Sequence, residues 1–563
     1  MGRAQCHLRR FGRSEDGSLI IFSLFIFILM LIIVGLSVDL MRFETARTKL
    51  QNTVDRAALA AASLNQTIDP TEVVNDYFAK SGMSDYLNDI TVTEGISFRQ
   101  VDIETDVNVP THFFNMVGIE NLASPADGIA QEAIGNVEIA MVLDVSGSMN
   151  SYSRLANLKT AAKDFIDTVY DASQPDTVST VIVPYATQVN AGATLLSHYN
   201  RSDSHERSHC VNFDSSDFYS ASLSTTSSLE QTMHFDPWTD ENDSFDLGEV
   251  PPYPVCPGED HREIMTWSTN KTSLKSYIQG LTAQGNTSTD IGVKWGAALL
   301  DPGTQPVLTS MISSGDAPSE LAGRPYPYDT GDAMKVLVVM TDGNHTSQYY
   351  MGDYRDGYSF VWKYVDSQGV IHYSIWWDGE NGDPITEPEG NYTYCDDWDW
   401  GYCDDWDYDD NPEFWFHAWS DDGISNDYEW LKQPYDGNQG DGNMNATRMT
   451  WAELWAEIPP EYFSDEVLYE MQSMYSSERN QYEYAIDYVG SSTKNSRFDA
   501  ICSAVKDGNV TVFSIGLEVS SSNATRLSNC ATSPSHYYDV DNLDIGNAFQ
   551  SIASQINQLR LVH

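Results

Sequence analysis

NVEIAMVLDVSGSMN, residues 136–150, is the stretch on which the fold turns. Ile139 to Leu143 form a continuous apolar run, the pattern of a strand covered on both faces. The run stops at Asp144, and Ser146 and Ser148 then alternate with Val145 and Gly147. Three small oxygen-bearing side chains, two residues apart, suit a turn whose serines cap the next helix, a nucleophile, or half of a metal site.

The pattern repeats downstream. An amphipathic helix is expected over 153–170 and a strand over 177–186. Helices follow in 273–281 and 289–300, and a strand in 334–343. The end of the chain adds a helix (497–508), strands (510–519 and 536–540) and a closing helix (545–559). Apolar strands separated by helices predict an α/β fold, a doubly wound and mostly parallel sheet. In such sheets ligands bind beyond the carboxyl ends of the strands. Asp144 ends one strand, and Asp342, in LVVMTDG, ends another. Between them lies the polar loop GNTSTDIG (285–292), which opens a helix.

A serine nucleophile would need a base, and no histidine lies near Ser146 or Ser148 in sequence. The chain has no HExxH, P-loop or Rossmann glycine pattern. A non-enzymatic protein is therefore expected. The formal charge of −51, from 82 acidic against 31 basic residues, argues against nucleic acid as a partner.

Leu19 to Val38 is uncharged and long enough, at ~1.5 Å per residue, to cross a bilayer core of about 30 Å. Arg3, Arg9, Arg10 and Arg13 precede it, so the positive-inside rule keeps the N-terminus cytoplasmic and exports the rest. The expected organisation is a basic segment (1–16), a single-span anchor (17–39), and a helix with a small α+β stalk (40–135). The α/β domain then occupies 136–345 plus 491–563, interrupted by an insertion over 346–490. Val38, Met41, Leu50, Val54, Ala57, Ala58 and Ala61 fall roughly on one face of the helix that continues the anchor. Residues 90–109 read as two strands.

Six cysteines lie on the exported side, where disulfides persist. Neighbours in sequence are expected to pair: 210–256, 395–403 and 502–530. The insertion holds the repeated octamers YCDDWDWG and YCDDWDYD, and eleven of fourteen tryptophans fall between Trp362 and Trp455. Disordered acidic tails lack such aromatics, so the insertion is expected to fold. Its tryptophans form either a core of its own or a carbohydrate-binding surface. The stretch 405–416 is no EF-hand, because Asp410 and Phe416 stand where that loop needs glycine and glutamate.

Asp144, Ser146 and Ser148, followed by a loop threonine and by Asp342, resemble the metal-ion-dependent adhesion site of the von Willebrand factor type A family. The resemblance implies that these residues hold a divalent metal, Mg²⁺ or else Mn²⁺ or Ca²⁺, together with a threonine of 285–290. Thr287 follows Gly-Asn and is favoured; Thr289, before Asp290, is the alternative. An open position on the metal would accept a Glu or Asp from a partner. The flanks GRSEDGSLIIFSLF (12–25) and VDLMRFETARTKLQNTVDRAALAAA (38–62) resemble the membrane segment of TadE/TadG-like Tad (Flp) pilus-assembly proteins. The stretch 529–561 and the helix TDIGVKWGAALLDP (289–302) are similar to the same group. This implies an inner-membrane, largely periplasmic protein that assembles or tethers a Flp-type pilus. The alternative function is a surface adhesin or sensor that binds carbohydrate through 346–490. Phe22 stands where a pilin-type processing site would have glutamate, which speaks against pilin-like cleavage.

Overall fold

Asn136–Asp144 lies inside a six-stranded sheet in the computed structural model of the chain. Described are residues 16–559 apart from 64–67, 95–97, 134–135, 172, 174, 203–204, 241, 259, 329–332, 377–391, 400–401, 410–414, 420–428, 432, 437–444, 472–475 and 542–543. The chain falls into two compact units, residues 1–134 with 555–563, and residues 135–554. The architecture is mixed α/β with one N-terminal apolar helix.

In the larger unit the strand order is Tyr537–Val540, Thr511–Leu517, Ala333–Thr341, Asn136–Asp144, Val178–Tyr185 and Met265–Ser268. The first five strands are parallel neighbours, and Met265–Ser268 is antiparallel at the edge. Every residue of Val178–Tyr185, and every residue after the first of Asn136–Asp144, is buried. That burial is why these strands contain the apolar runs Ile139–Leu143 and Val181–Val183. The chain's first strand in this sheet has its successor, Val178–Tyr185, on one side and Ala333–Thr341 on the other. The winding direction therefore reverses between the strands that end near Asp144 and Asp342, the position at which open α/β sheets bind ligands.

The helix Thr289–Leu300 is buried along its whole length. Gly292 and Gly296 let it approach the sheet: a Cβ on Gly296 would fall 2.6 Å from a methyl of Val142. The helix Ser491–Asp507 buries Phe498, Ile501 and Val505 in the same core. Cys502–Cys530 ties this helix to its neighbour Ser521–Cys530, as expected from the sequence.

The two polar excursions are joined. Residues 346–490 leave and return through the antiparallel pair Gln348–Met351 and Ile486–Val489. Between them stands a five-stranded antiparallel sheet in the order Glu429–Leu431, Trp415–Trp419, Ile371–Trp376, Tyr358–Val365 and Thr447–Thr450. Its core includes Trp451, Trp455, Phe463 and Tyr482, and also Met233, Phe235, Phe245 and Val255 from the earlier excursion. Cys210–Cys256, the second expected disulfide, lies in this shared core. The repeated octamers form a two-stranded hairpin, Tyr392–Asp399 with Tyr402–Asp409. Its side chains, and with them the expected 395–403 bridge, lie outside the described residues.

In the smaller unit one helix runs from Asp16 to Ala62 and is a candidate membrane span. Its far half buries Leu50, Val54, Ala57, Ala58 and Ala61 against Val74, Phe78, Val101 and Ile103. Val38 and Met41, expected on the same face, are instead exposed, since the packed stripe runs through Gly35, Asp39, Phe43, Ala46 and Leu50 and both lie off it. The two strands expected over 90–109 are Leu87–Glu94 and Phe98–Pro110, and Asn121–Pro125 and Gly128–Ala133 add two more to this domain.

A candidate oxygen-lined site at the carboxyl ends of the central strands

Four of the five residues singled out in the sequence meet beyond the carboxyl ends of adjacent parallel strands. Ser146 and Ser148 bring their hydroxyls to 3.1 Å, and Ser148 donates to Asp342 Oδ1 at 2.7 Å. The backbone N–H of Ser146 donates to Asp144 Oδ1 at 2.9 Å. Asp144 is fully buried, Ser146 and Asp342 nearly so.

The loop carrying Thr287 is stitched to the same turn. Gly147 N–H donates to the carbonyl of Gly285 at 2.9 Å, and Gln284 N–H to that of Val145 at 3.0 Å. Thr287 is buried; its N–H donates to Thr346 Oγ1 at 2.8 Å. Its hydroxyl takes no part in the Asp144–Ser146–Ser148–Asp342 bonds. The alternative threonine, Thr289, donates to Tyr185 Oη at 3.1 Å and so touches the cluster only through that ring.

Several members of the site were not foreseen. Tyr185 Oη lies 3.1 Å from Asp144 Oδ2 and 2.9 Å from the Met340 carbonyl, the two acceptors its one proton can serve. Thr341 Oγ1 donates to Asp144 Oδ2 at 2.8 Å. Arg154 Nη1 donates to Asp342 Oδ2 at 3.0 Å, and its other nitrogen reaches Glu518. Tyr152, Ser153 and Glu518 hold positive φ of 53°, 61° and 55°, uncommon for residues with a Cβ and often found where function fixes the backbone. Position gave one usable signal, as Tyr185 ends the apolar strand next to Asp144. Arg154 and Glu518 carried none.

Lys494 Nζ donates to the carbonyls of Thr287 and Thr346, both at 2.7 Å, and to Ser288 Oγ at 2.6 Å. Both ends of the insertion therefore hold the threonine loop, Thr346 from the outgoing chain and Lys494 from the returning one.

Burial first, and then the neighbouring Asp342 charge, push the Asp144 carboxyl up to about 6, against hydrogen bonds from Ser146 and Thr341. Two carboxylates and two hydroxyls crowded in a dry corner form an all-oxygen donor set of the kind hard divalent cations take. A cation there would relieve the repulsion that raises Asp144. Among the described residues no group of three or more His, Cys, Asp or Glu is placed to hold a metal, so any such site depends on the hydroxyls.

The class defined so far is a mixed α/β protein with an oxygen-lined cluster at the switch point of its sheet and one apolar N-terminal helix. Residues 17–64 match the model of the putative Flp pilus-assembly TadE/G-like family. No curated protein matches the chain in sequence. Among solved structures, the vWF domain of the type V pili tip protein from Porphyromonas gingivalis is similar at 13% identity. The match covers 76% of this chain and 96% of that one, with a TM-score of 0.29. The pilus adhesin SpaC from Lactobacillus rhamnosus GG is similar at 12% identity, over 84% of this chain and 34% of that one, with a TM-score of 0.28. The chain thus spans about a third of SpaC. The pilus adhesin RrgA from Streptococcus pneumoniae is similar at 10% identity, over 82% and 47% of the two chains, with a TM-score of 0.25.

Proposed function

We propose that this is a non-enzymatic, single-span protein of the bacterial inner membrane that helps assemble or tether a Tad-type pilus. Its N-terminus is cytoplasmic and its bulk periplasmic. Its sheet, read as a doubly wound von Willebrand A-like domain, grips a partner through a divalent metal, with Mg²⁺ favoured.

The observation that carries the reading is the bonded series Asp144, Ser146, Ser148 and Asp342 at the switch point of the sheet. These four residues, with Thr287 from the adjoining loop, would hold the ion. The ion would supply a positive charge and an exchangeable position suited to a carboxylate of the partner. The chain's own residues do the rest. Tyr185 and Thr341 hold one oxygen of Asp144, which fixes its carboxylate plane. Arg154 anchors Asp342 by one oxygen and leaves the other on Ser148. Lys494 holds the carbonyl of Thr287 and so sets the height of the threonine loop. The family match over 17–64 supports the pilus setting.

Two experiments test this reading. Mn²⁺ titration of the full-length protein, followed by electron paramagnetic resonance, should show one site that Asp144→Ala or Asp342→Ala abolishes. Binding unchanged in both variants would sink the metal role. Deletion of the gene should remove surface pili, and normal pili in the deletion strain would sink the assembly role. For the carbohydrate alternative, Trp376, Trp451 and Trp455 are buried in the insertion and Trp362 and Trp415 half-buried, while the side chains of its other tryptophans lie outside the described residues.

A further inference from the structure

The smaller unit carries an apolar turn with no role in the site. Thr111 to Glu120, THFFNMVGIE, links the strands Phe98–Pro110 and Asn121–Pro125. From Phe113 to Ile119 it has no charge, in a chain of formal charge −51. Phe113, Met116 and Ile119 are 40%, 79% and 42% exposed. Three large apolar side chains facing outward on one short turn are costly in water and expected against a nonpolar phase.

The turn sits on the membrane-spanning helix. The ring of Phe113 presses on Gly35, where a Cβ would fall 2.3 Å from the ring's Cδ1. Asp39, one turn further along, accepts from the backbone N–H groups of His112, Phe113 and Phe114. The amides of Met116, Gly118 and Ile119 donate to the carbonyls of Phe113, Asn115 and Phe114. Most of the turn's N–H groups are therefore satisfied from within the protein. That is the condition for entering a lipid phase, where an unpaired backbone group finds no water.

Depth follows from the seat. Gly35 lies three residues inside the uncharged stretch 19–38, about 4.5 Å at ~1.5 Å per residue. That falls close to the ~5–10 Å to which interfacial apolar groups sink.

We infer that the turn 112–119 is a second membrane contact, a shallow wedge of Phe113, Met116 and Ile119 in the headgroup–acyl boundary of the bilayer that its own helix crosses. The inference rests on reading 19–38 as a membrane span. The occupant is lipid because the turn is pinned to that span at Gly35 and cannot leave the interface while the span is inserted. Together the span and the wedge fix the tilt of the helix beyond Asp39, which one span alone would leave free to swivel.

The test uses the full-length protein in phosphatidylcholine–phosphatidylglycerol vesicles, with Cys6→Ser as background. Met116→Cys or Phe27→Cys carries an environment-sensitive fluorophore, and the unsubstituted background gives the blank. Lipids brominated near the headgroup end of the acyl chain should quench most of the emission at position 116. Lipids brominated deep in the chain should quench position 27. Ile119→Cys should repeat the shallow result, and adding Gly35→Leu, which drives the Phe113 ring off its seat, should restore emission at 116. Quenching at 27 without quenching at 116 or 119 overturns the wedge and leaves the span standing. A blue-shifted but unquenched label at 116 means that protein covers the turn, which also overturns it. No quenching at 27 removes the span, and the wedge with it.

Discussion

The larger unit holds two cores built on different principles. The six-stranded sheet has five parallel strands built around buried apolar runs such as Ile139–Leu143 and Val336–Met340, with Trp295 fully buried beside Tyr199 and Phe213. The insertion is made of short antiparallel strands closed by rings, with Trp455 fully buried beside Trp451, Phe463 and Tyr482. The polar segment 190–270 serves both: Leu195, Leu196, Tyr199, Phe213, Phe218 and Leu229 join the core of the sheet, while Met233, Phe235, Phe245, Leu247 and Val255, with the Cys210–Cys256 disulfide, join the core of the insertion. The difference teaches that an acidic segment can fold when aromatic rings supply area and a distant segment supplies partners. If it holds, the two cores open separately. Trp455→Ala should cost about 4 kcal/mol, from lost burial and the cavity left behind. Amide exchange should quicken across Tyr358–Val365 and Ile371–Trp376 while Val137–Leu143 stays protected. Equal quickening in all three strands would make the unit one cooperative block and break the comparison.

A second way to press on it is the bridge in the shared core. Cys210 and Cys256 are 46 residues apart in sequence, and for a loop of that size removing the link costs about 4 kcal/mol in the chain-entropy account. The double change to serine should lower the melting temperature and loosen the insertion and 230–256 together. Loosening of 230–256 alone would mean that the insertion does not depend on its neighbour.

The sheet was the more legible of the two for a physical reason. A strand buried on both faces is mostly apolar, with a charge tolerated where it is paired as Glu138 is with Lys335, so Ile139–Leu143 and Val336–Met340 announce themselves, and Asp144 and Asp342 stand out as the points where the run stops. The disulfides 210–256 and 502–530 followed from proximity in sequence. What could not be read depends on pairings across long separations. Arg154 meets Asp342 188 residues away and Lys494 meets Thr287 207 residues away, and nothing local marks either cation. The segment 190–270 looked like a polar excursion because its apolar residues are spread singly and converge only in three dimensions. Met41 misled in the other direction. Its apolar character suggests the packed face, but that face runs through Gly35, Asp39, Phe43 and Ala46 and passes it by.

Lys494 is where the two regions touch the candidate site, and it gives an intermediate effect. Lys494→Met keeps the stem apolar and leaves the Thr346 carbonyl and the Ser288 hydroxyl short of a donor, and the Thr287 carbonyl with the Thr346 N–H alone. Unpaired buried acceptors cost ~1–3 kcal/mol, so a loss of about 2 kcal/mol is expected. If the stem sets the threonine loop, Mn²⁺ affinity should fall as well, while Lys506→Met, on the exposed end of the same helix, should change neither. A stability loss with unchanged affinity would show that the insertion and the site are independent.

The smallest effect is one of pH, and it sits on the segment that serves the insertion. Burial, with His205 and Arg207 nearby, pulls His234 down to about 4 from an ordinary value of ~6.5. Its Nδ1 lies 2.9 Å from Ser208 Oγ, and its ring meets His205 edge-on at 6.2 Å. A histidine whose folded value is depressed stays neutral in the native state while the unfolded chain takes up a proton. The unfolded state therefore binds more protons between about 4 and ~6.5, and stability falls as pH falls through that window. One unit below its ordinary value, near pH 5.5, the loss from His234 alone is about 1.4 kcal/mol. Chemical denaturation of the full-length protein should show a smaller stability difference between pH 7.5 and 5.5 in His234→Gln than in the parent, by about 1.4 kcal/mol, the remainder coming from other buried histidines such as His417, held at about 3. The protection lost at pH 5.5 should map to residues 205–256 and the insertion strands, leaving Asn136–Asp144 unchanged. If protection were lost instead from the parallel sheet, the two cores would not be separable by acid, and the contrast between them would rest on packing alone.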